Sequence, residues 1–107
     1  MVEVSEAVDG DNIRVEGVNV RIMGLDAPEI YRPKCEAERV LAEKAKARLW
    51  MLTRGPDVLA CFYGIDRYQR PLARVYASGV DVANILISVG YARPYEGGRR
   101  LGWCDVE

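Results

Sequence analysis

A chain of 107 residues, half apolar and 29% charged, has room for one compact core, so a single domain spanning 1–107 is expected. With 15 basic and 16 acidic residues the net charge is −1, which excludes a protein that coats nucleic acid by bulk charge. The absence of histidine excludes Ser–His–Asp triads, His-paired cysteine nucleophiles and His-ligated zinc, and leaves carboxylates, Arg, Tyr, Cys, Lys or an oxygen-held metal to do any chemistry. No apolar run approaches the length of a membrane span, and no signal peptide is visible at the start. The chain is therefore read either as cytoplasmic or as an exported protein without its signal.

Val2–Val8 reads as a first strand, and Asp9-Gly10 is a hairpin signal. Asn12–Val15 is a second strand with Asp11 at its entrance, and Glu16-Gly17 a second turn. Val18–Met23 is a third strand, with Val18, Val20 and Ile22 on one face and Asn19, Arg21 and Met23 on the other. Gly24 is expected to end it, and Leu25-Asp26-Ala27-Pro28 to form a loop. The one long helix is expected over about 36–53, with an apolar stripe of Ala37, Val40, Leu41, Ala45, Leu49 and Leu52 and a charged face of Glu38, Arg39, Glu43 and Lys46. Arg54-Gly55-Pro56 closes it. Strands follow at Asp57–Tyr63 and Leu72–Ala77, joined by the turn Gly64–Pro71. Asp81 caps a short helix, Val82–Val89, and the tail from Tyr91 carries no regular pattern beyond a turn of helix. Five strands with one helix between the third and fourth is the layout of an OB-fold barrel, although an open α+β sheet has the same element order.

Charge is unevenly spread. Residues 1–30 hold seven acids and two arginines, whereas residues 67–100 hold six arginines and two acids. Twelve of the 15 bases are Arg, which grips phosphate bidentately where Lys is a point charge. An acidic half facing a basic half suits a metal–phosphate site, and it equally suits an ordinary mixed surface. Asp11 and Asp26 stand where an antiparallel pair can bring them together, with Glu29 close in sequence and the Ala27 carbonyl able to face the same space. Such oxygens are what a hard divalent cation wants. The competing reading makes Asp9 a turn former and Asp26 a pre-proline turn residue. Arg21 inside a strand needs a partner, either solvent or Asp26. Arg70 reads as solvated turn, and Tyr68 and Tyr95 as core, rim or base-stacking groups. Cys61 reads as a buried strand residue. Cys35 and Cys104 lie in loop context and could pair in an exported protein.

At this point the chain resembles the staphylococcal-nuclease-like, or thermonuclease, family. The likeness rests on an ordered series: DGDNIRV (Asp9–Val15), VRIMGLDAPE (Val20–Glu29), CEAERVLAEKAK (Cys35–Lys46), DRYQRPLARVY (Asp66–Tyr76), VGYARPY (Val89–Tyr95) and GGRRLGWC (Gly97–Cys104). The resemblance implies a five-stranded OB-fold barrel and a monomeric, Ca²⁺-dependent phosphodiesterase. The implied substrates are single-stranded or locally melted DNA and RNA, cleaved to 3′-phosphates with no membrane involved. It places metal ligation on Asp11, Asp26 and the Ala27 carbonyl, catalysis on Arg21, Glu29 and Arg70, and substrate contacts on Tyr68 and Tyr95. It suggests a secreted or periplasmic setting. Asn12 stands where the family usually has Thr, Gln69 where Gly is common, and the chain ends soon after Trp103-Cys104. The alternative is a non-catalytic OB module that binds nucleic acid or a protein ligand.

Overall fold

The computed structural model describes residues 1–104. Strands β1 (Glu6–Asp9), β2 (Asn12–Val15) and β3 (Val18–Ile22) form the expected meander. β4 (Gly24–Asp26) precedes helix α1 (Glu36–Leu52); β5 (Val58–Ile65), β6 (Pro71–Ala77) and β7 (Val80–Asp81) lead into α2 (Val82–Ser88), and β8 (Arg93–Tyr95) follows. The main sheet runs β1-β2-β3-β6-β5, with β7 added to β6. All its pairs are antiparallel except β3 with β6, where Arg21 faces Leu72 and Ile22 faces Ala73. One backbone bond, Val2 N to the Val58 carbonyl at 2.9 Å, links the two outer margins of the sheet. The result is a mainly-β α+β fold with two helices, of OB-fold-like character.

The core follows strand alternation. Ile13, Val20, Ile22, Val58, Ala73 and Val75 point inward and are joined by Leu25, Leu49, Val82 and Leu86. Val18 continues the inward face in sequence, yet lies half exposed at the Glu16-Gly17 turn.

Three elements depart from the sequence expectation. Gly24 does not end the sheet: Gly24–Asp26 is a separate strand, paired with Arg93–Tyr95 in a tail expected to be irregular. Gly24 has φ +96°, a left-handed conformation that breaks the run from β3 and re-aims the chain into β4. The buried face of α1 is Glu38, Ala42, Ala45 and Leu49, while Val40 is exposed. The reason is close packing: a Cβ at Gly10 would lie 2.7 Å from the Cβ atoms of both Ala27 and Ala45. The helix therefore meets the β1–β2 hairpin through small residues, rotated away from its larger aliphatic stripe. Cys61 is half-buried rather than buried, because β5 is an edge strand.

Candidate active site

The β1–β2 turn opens the site. Asp9 Oδ1 accepts the Asp11 N–H at 3.2 Å, the local bond expected of an aspartate turn. That proximity has a cost. Burial first, then the charge of Asp11 and a hydrogen bond to it, pushes the Asp9 carboxyl up to about 8, with Glu29 adding to the rise. Asp9 thus belongs to the acidic cluster as well as to the turn.

Asp11 is buried in the turn just ahead of β2. Its Oδ2 accepts the Ala27 N–H at 3.0 Å and lies 3.2 Å from Arg21 Nη1. Arg21 is held by the strands around it: Nη1 donates to the Ile22 carbonyl at 3.0 Å and Nη2 to the Leu25 carbonyl at 3.1 Å. Its ion pair is with Asp11, not Asp26.

Asp26, at the end of β4, is 1% exposed. Neither of its carboxylate oxygens accepts a hydrogen bond among the described residues. The charge beside it is Arg100, whose Nη2 lies 2.5 Å from Oδ1 in an orientation that does not direct an N–H at the oxygen. Glu29 is half-buried, and its backbone N–H donates to Glu38 Oε2 at 3.0 Å. The other oxygen of Glu38 accepts the Lys34 N–H at 2.9 Å. The sequence had put Glu38 on the charged outer face of α1; it is buried because the 29–34 loop folds over the helix start and leaves two N–H groups that need an acceptor. Cys35 caps the helix, which puts Glu38 at the third position, where a capping-box acid reaches back toward the cap. That spacing was the available signal.

Arg70 comes from the other side of the helix in sequence. Asp66 organises its turn, accepting from the Arg70 N–H and Tyr68 N–H at 2.9 Å each and from Arg70 Nε at 2.8 Å. Burial alone would raise the Asp66 carboxyl; the Arg70 backbone and guanidinium and the Tyr68 N–H outweigh it and hold the carboxyl below its usual range. Gln69 closes the turn at φ +67°, which explains why glycine suits this position. Asn12 joins the halves: oriented to satisfy both groups, its amide donates to the Val20 carbonyl at 2.9 Å and accepts from Arg70 Nη1 at 2.7 Å. Its oxygen is thus directed at Arg70.

Two clefts result. One, of about 810 Å³, is lined by Arg21, Arg70, Tyr68 and Tyr95, with Arg67 and Arg74 also in its wall. Tyr68 is exposed, with Arg67 and Arg70 over its ring at 5.0 and 5.5 Å. Tyr95 donates to the Gly98 carbonyl at 2.6 Å, and Arg21 lies 6.0 Å from its ring centre. The other cleft, of about 470 Å³, is lined by Glu29, Tyr31, Lys34 and Trp103. Arg100 lines both. Arg21, Arg70, Tyr68 and Tyr95 are thus brought to one cleft, whereas Glu29 lines the other, with Arg100 between the two.

Among the described residues no three acidic or thiol side chains gather at ligand geometry. The donors that remain are two aspartates and backbone carbonyls. The buried Asp26 carboxylate, which accepts no hydrogen bond among the described residues and has the half-exposed Arg100 guanidinium beside it, fits a hard cation together with Asp11, and its all-oxygen chemistry does not suit a soft one.

A family model described as Staphylococcal nuclease homologue matches residues 19–101. The chain belongs to the staphylococcal-nuclease-like family. Two relatives, from Escherichia coli O157:H7 and Escherichia coli, each bear the name uncharacterized endonuclease; each is 33% identical over 98 residues, 87% of this chain and 60% of the relative. A third, from Oryza sativa subsp. japonica and named as a staphylococcal-like nuclease, is 28% identical over 86 residues, 80% of this chain and 24% of its own length. The chain thus spans about 60% of the E. coli relatives it matches. The matched span takes in Arg21, Asp26, Ala27, Glu29, Tyr68, Arg70, Tyr95 and Arg100 of this nuclease-like domain; Asp11 lies ahead of it.

Residues 35 and 104 form a disulfide with a Cα–Cα distance of 6.0 Å, joining the start of α1 to the tail. No helix among the described residues is long and apolar enough to cross a membrane.

Proposed function

We propose that this domain is a Ca²⁺-dependent nuclease that hydrolyses phosphodiester bonds of single-stranded or locally melted DNA and RNA, leaving 3′-phosphates. The observation that carries this reading is the meeting of Arg21 and Arg70 in one cleft whose wall also holds Arg100, the guanidinium beside the buried Asp26. Family membership and the relatives' names support the same reaction class.

Asp11, Asp26 and the Ala27 carbonyl would hold the cation. Bound there, it supplies a Lewis acid for a non-bridging phosphate oxygen. Arg21 and Arg70 donate to the remaining phosphate oxygens and to the departing 5′ oxygen, where charge grows as the bond to phosphorus lengthens. Asn12 and Asp66 fix the direction of Arg70, so its donors need no reorganisation when the phosphate arrives. Glu29 orients the attacking water and accepts its proton. Glu38 anchors the Glu29 backbone from below. Tyr68 and Tyr95 border the arginine cleft and can take the flanking sugar or base. Phosphates dominate this recognition, so sequence preference is weak.

The deciding experiment incubates the purified chain with single-stranded DNA in Ca²⁺ and, separately, in chelator. Cleavage in Ca²⁺ alone is expected, with 3′-phosphate ends. Binding without cleavage in either condition would replace this reading with that of a non-catalytic module.

A further inference from the structure

The segment after β8 crosses back over the acidic cluster and is held at both ends. Its start is fixed by the ladder of β8 on β4, its end by the Cys35–Cys104 bond. Between them, Arg93 Nη2 donates to the Gly102 carbonyl at 3.0 Å and its guanidinium stacks 3.6 Å from the Trp103 ring centre. With Tyr95 bonded to the Gly98 carbonyl, these contacts fold the strap so that Arg100 reaches inward.

Arg100 Nη2 stands 2.5 Å from Asp26 Oδ1. Ca²⁺ sits about 2.3–2.6 Å from its oxygens, so a guanidinium nitrogen holds a place at ligand distance. Asp26 has no hydrogen bond to either oxygen among the described residues. A buried carboxylate without any counter-charge is costly, so some cation belongs beside it. Asp26, Asp11 and Glu29 all lie close enough to act on the Arg100 guanidinium. The same three carboxylates surround both the guanidinium and the proposed metal position.

We propose that Arg100 is a built-in counter-ion that occupies the cation's place on Asp26, so that a divalent cation enters this site by displacing it. The inference rests on the Ca²⁺ reading above. Displacement requires no unravelling of the strap. Arg100 is 45% exposed and already lines the neighbouring cleft with Arg21 and Arg70, so a side-chain rotation carries it there. The device keeps Asp26 neutralised in the absence of metal and weakens metal affinity by the contact that must be broken. The sequence contained the residue, in GGRRLGWC, but nothing in its spacing marked which arginine turns inward. The Cys35–Cys104 bond, with the Arg93 contacts to Gly102 and Trp103, brings the tail alongside Glu29.

Calorimetric titration of CaCl₂ into the full chain without nucleic acid tests this, using wild type, Arg100→Met and, as a second neutral replacement, Arg100→Gln. Removing a charge-assisted contact that metal must break should tighten Ca²⁺ binding on the order of tenfold. Thermal melting gives a second readout: both variants should melt below wild type in chelator and gain more than wild type from Ca²⁺. If wild type binds Ca²⁺ and the variants bind it equally or more weakly, the counter-ion role is overturned while the nuclease reading stands. Weaker single-stranded DNA binding with unchanged Ca²⁺ affinity would overturn it in favour of a plain phosphate-binding arginine. No Ca²⁺ binding by wild type or variant would overturn it together with the Ca²⁺ reading.

Discussion

Arg21 and Arg70 are paired to different depths, and that separates what their removal should do. Arg70 is 31% exposed and held by Asp66, which is itself anchored by backbone N–H groups, so the turn survives its loss. Arg70→Ala should lower kcat by about 10²–10³, the usual effect of deleting one transition-state donor, with a stability cost of about 1 kcal/mol because the buried Asn12 oxygen loses its partner. Arg21 is 12% exposed and faces an Asp11 that is 9% exposed. Arg21→Ala should show the same loss of rate and also cost about 3 kcal/mol of stability, because it strands a buried carboxylate. Urea unfolding beside steady-state kinetics on both variants checks the contrast; wild-type turnover in either would remove it from the site. Arg21 drew notice because a charge inside a strand needs a partner, whereas Arg70 read on its own as solvated turn and took its role from the family resemblance alone. Their partners were not legible. Arg21 could be read as paired with Asp26; the register of β2 on β3 sets it opposite Asn12 and so beside Asp11 instead. Glu38 looked solvated because a helical repeat says nothing about a loop that folds over the helix start.

Long elements carry their own signature and short ones do not. The hairpin β1–β2, α1 and the β5–β6 pair have turn residues, caps or alternation over several positions. β4 and β8 have three residues each, and Pro94 within β8 argues against a strand. Their pairing is imposed by the tertiary path of the tail, which must reach α1 to close the disulfide. That bond joins residues 69 apart, so it removes much freedom from the unfolded chain and little from the rest of the fold. Reduction should lower unfolding free energy by about 2–4 kcal/mol while leaving the far-ultraviolet circular dichroism of the native state intact. Denaturant midpoints with and without reductant, compared with a Cys35→Ser, Cys104→Ser double variant that should ignore reductant, measure it. An unchanged midpoint would mean that the strap contacts of Arg93, Trp103 and Arg100 hold the tail without the bond.

Across the whole molecule, near-neutral charge conceals a strong local field. Among the described residues, the larger cleft gathers Arg21, Arg67, Arg70, Arg74 and Arg100 against Asp66 and Glu96. Several of these arginines are already matched: Arg21 by Asp11, Arg70 by Asp66, Arg74 by Asp81 and Arg100 by Asp26. These internal pairs already offset much of the cleft's positive charge, so a single strand entering it does not meet bare charge and the number of counterions released is small. Two to four neutralised phosphates give a slope of log K against log salt of about −1.4 to −3 for a single strand. Glu29→Gln, which keeps the cleft while removing the proton acceptor, permits the measurement by fluorescence anisotropy without cleavage. Oligonucleotides of one length and scrambled sequence should differ by less than about threefold, since phosphate contacts position a strand without reading it. A flat salt response would mean that the cleft does not grip the backbone. A strong dependence on sequence would mean that base edges, not phosphates, select the substrate.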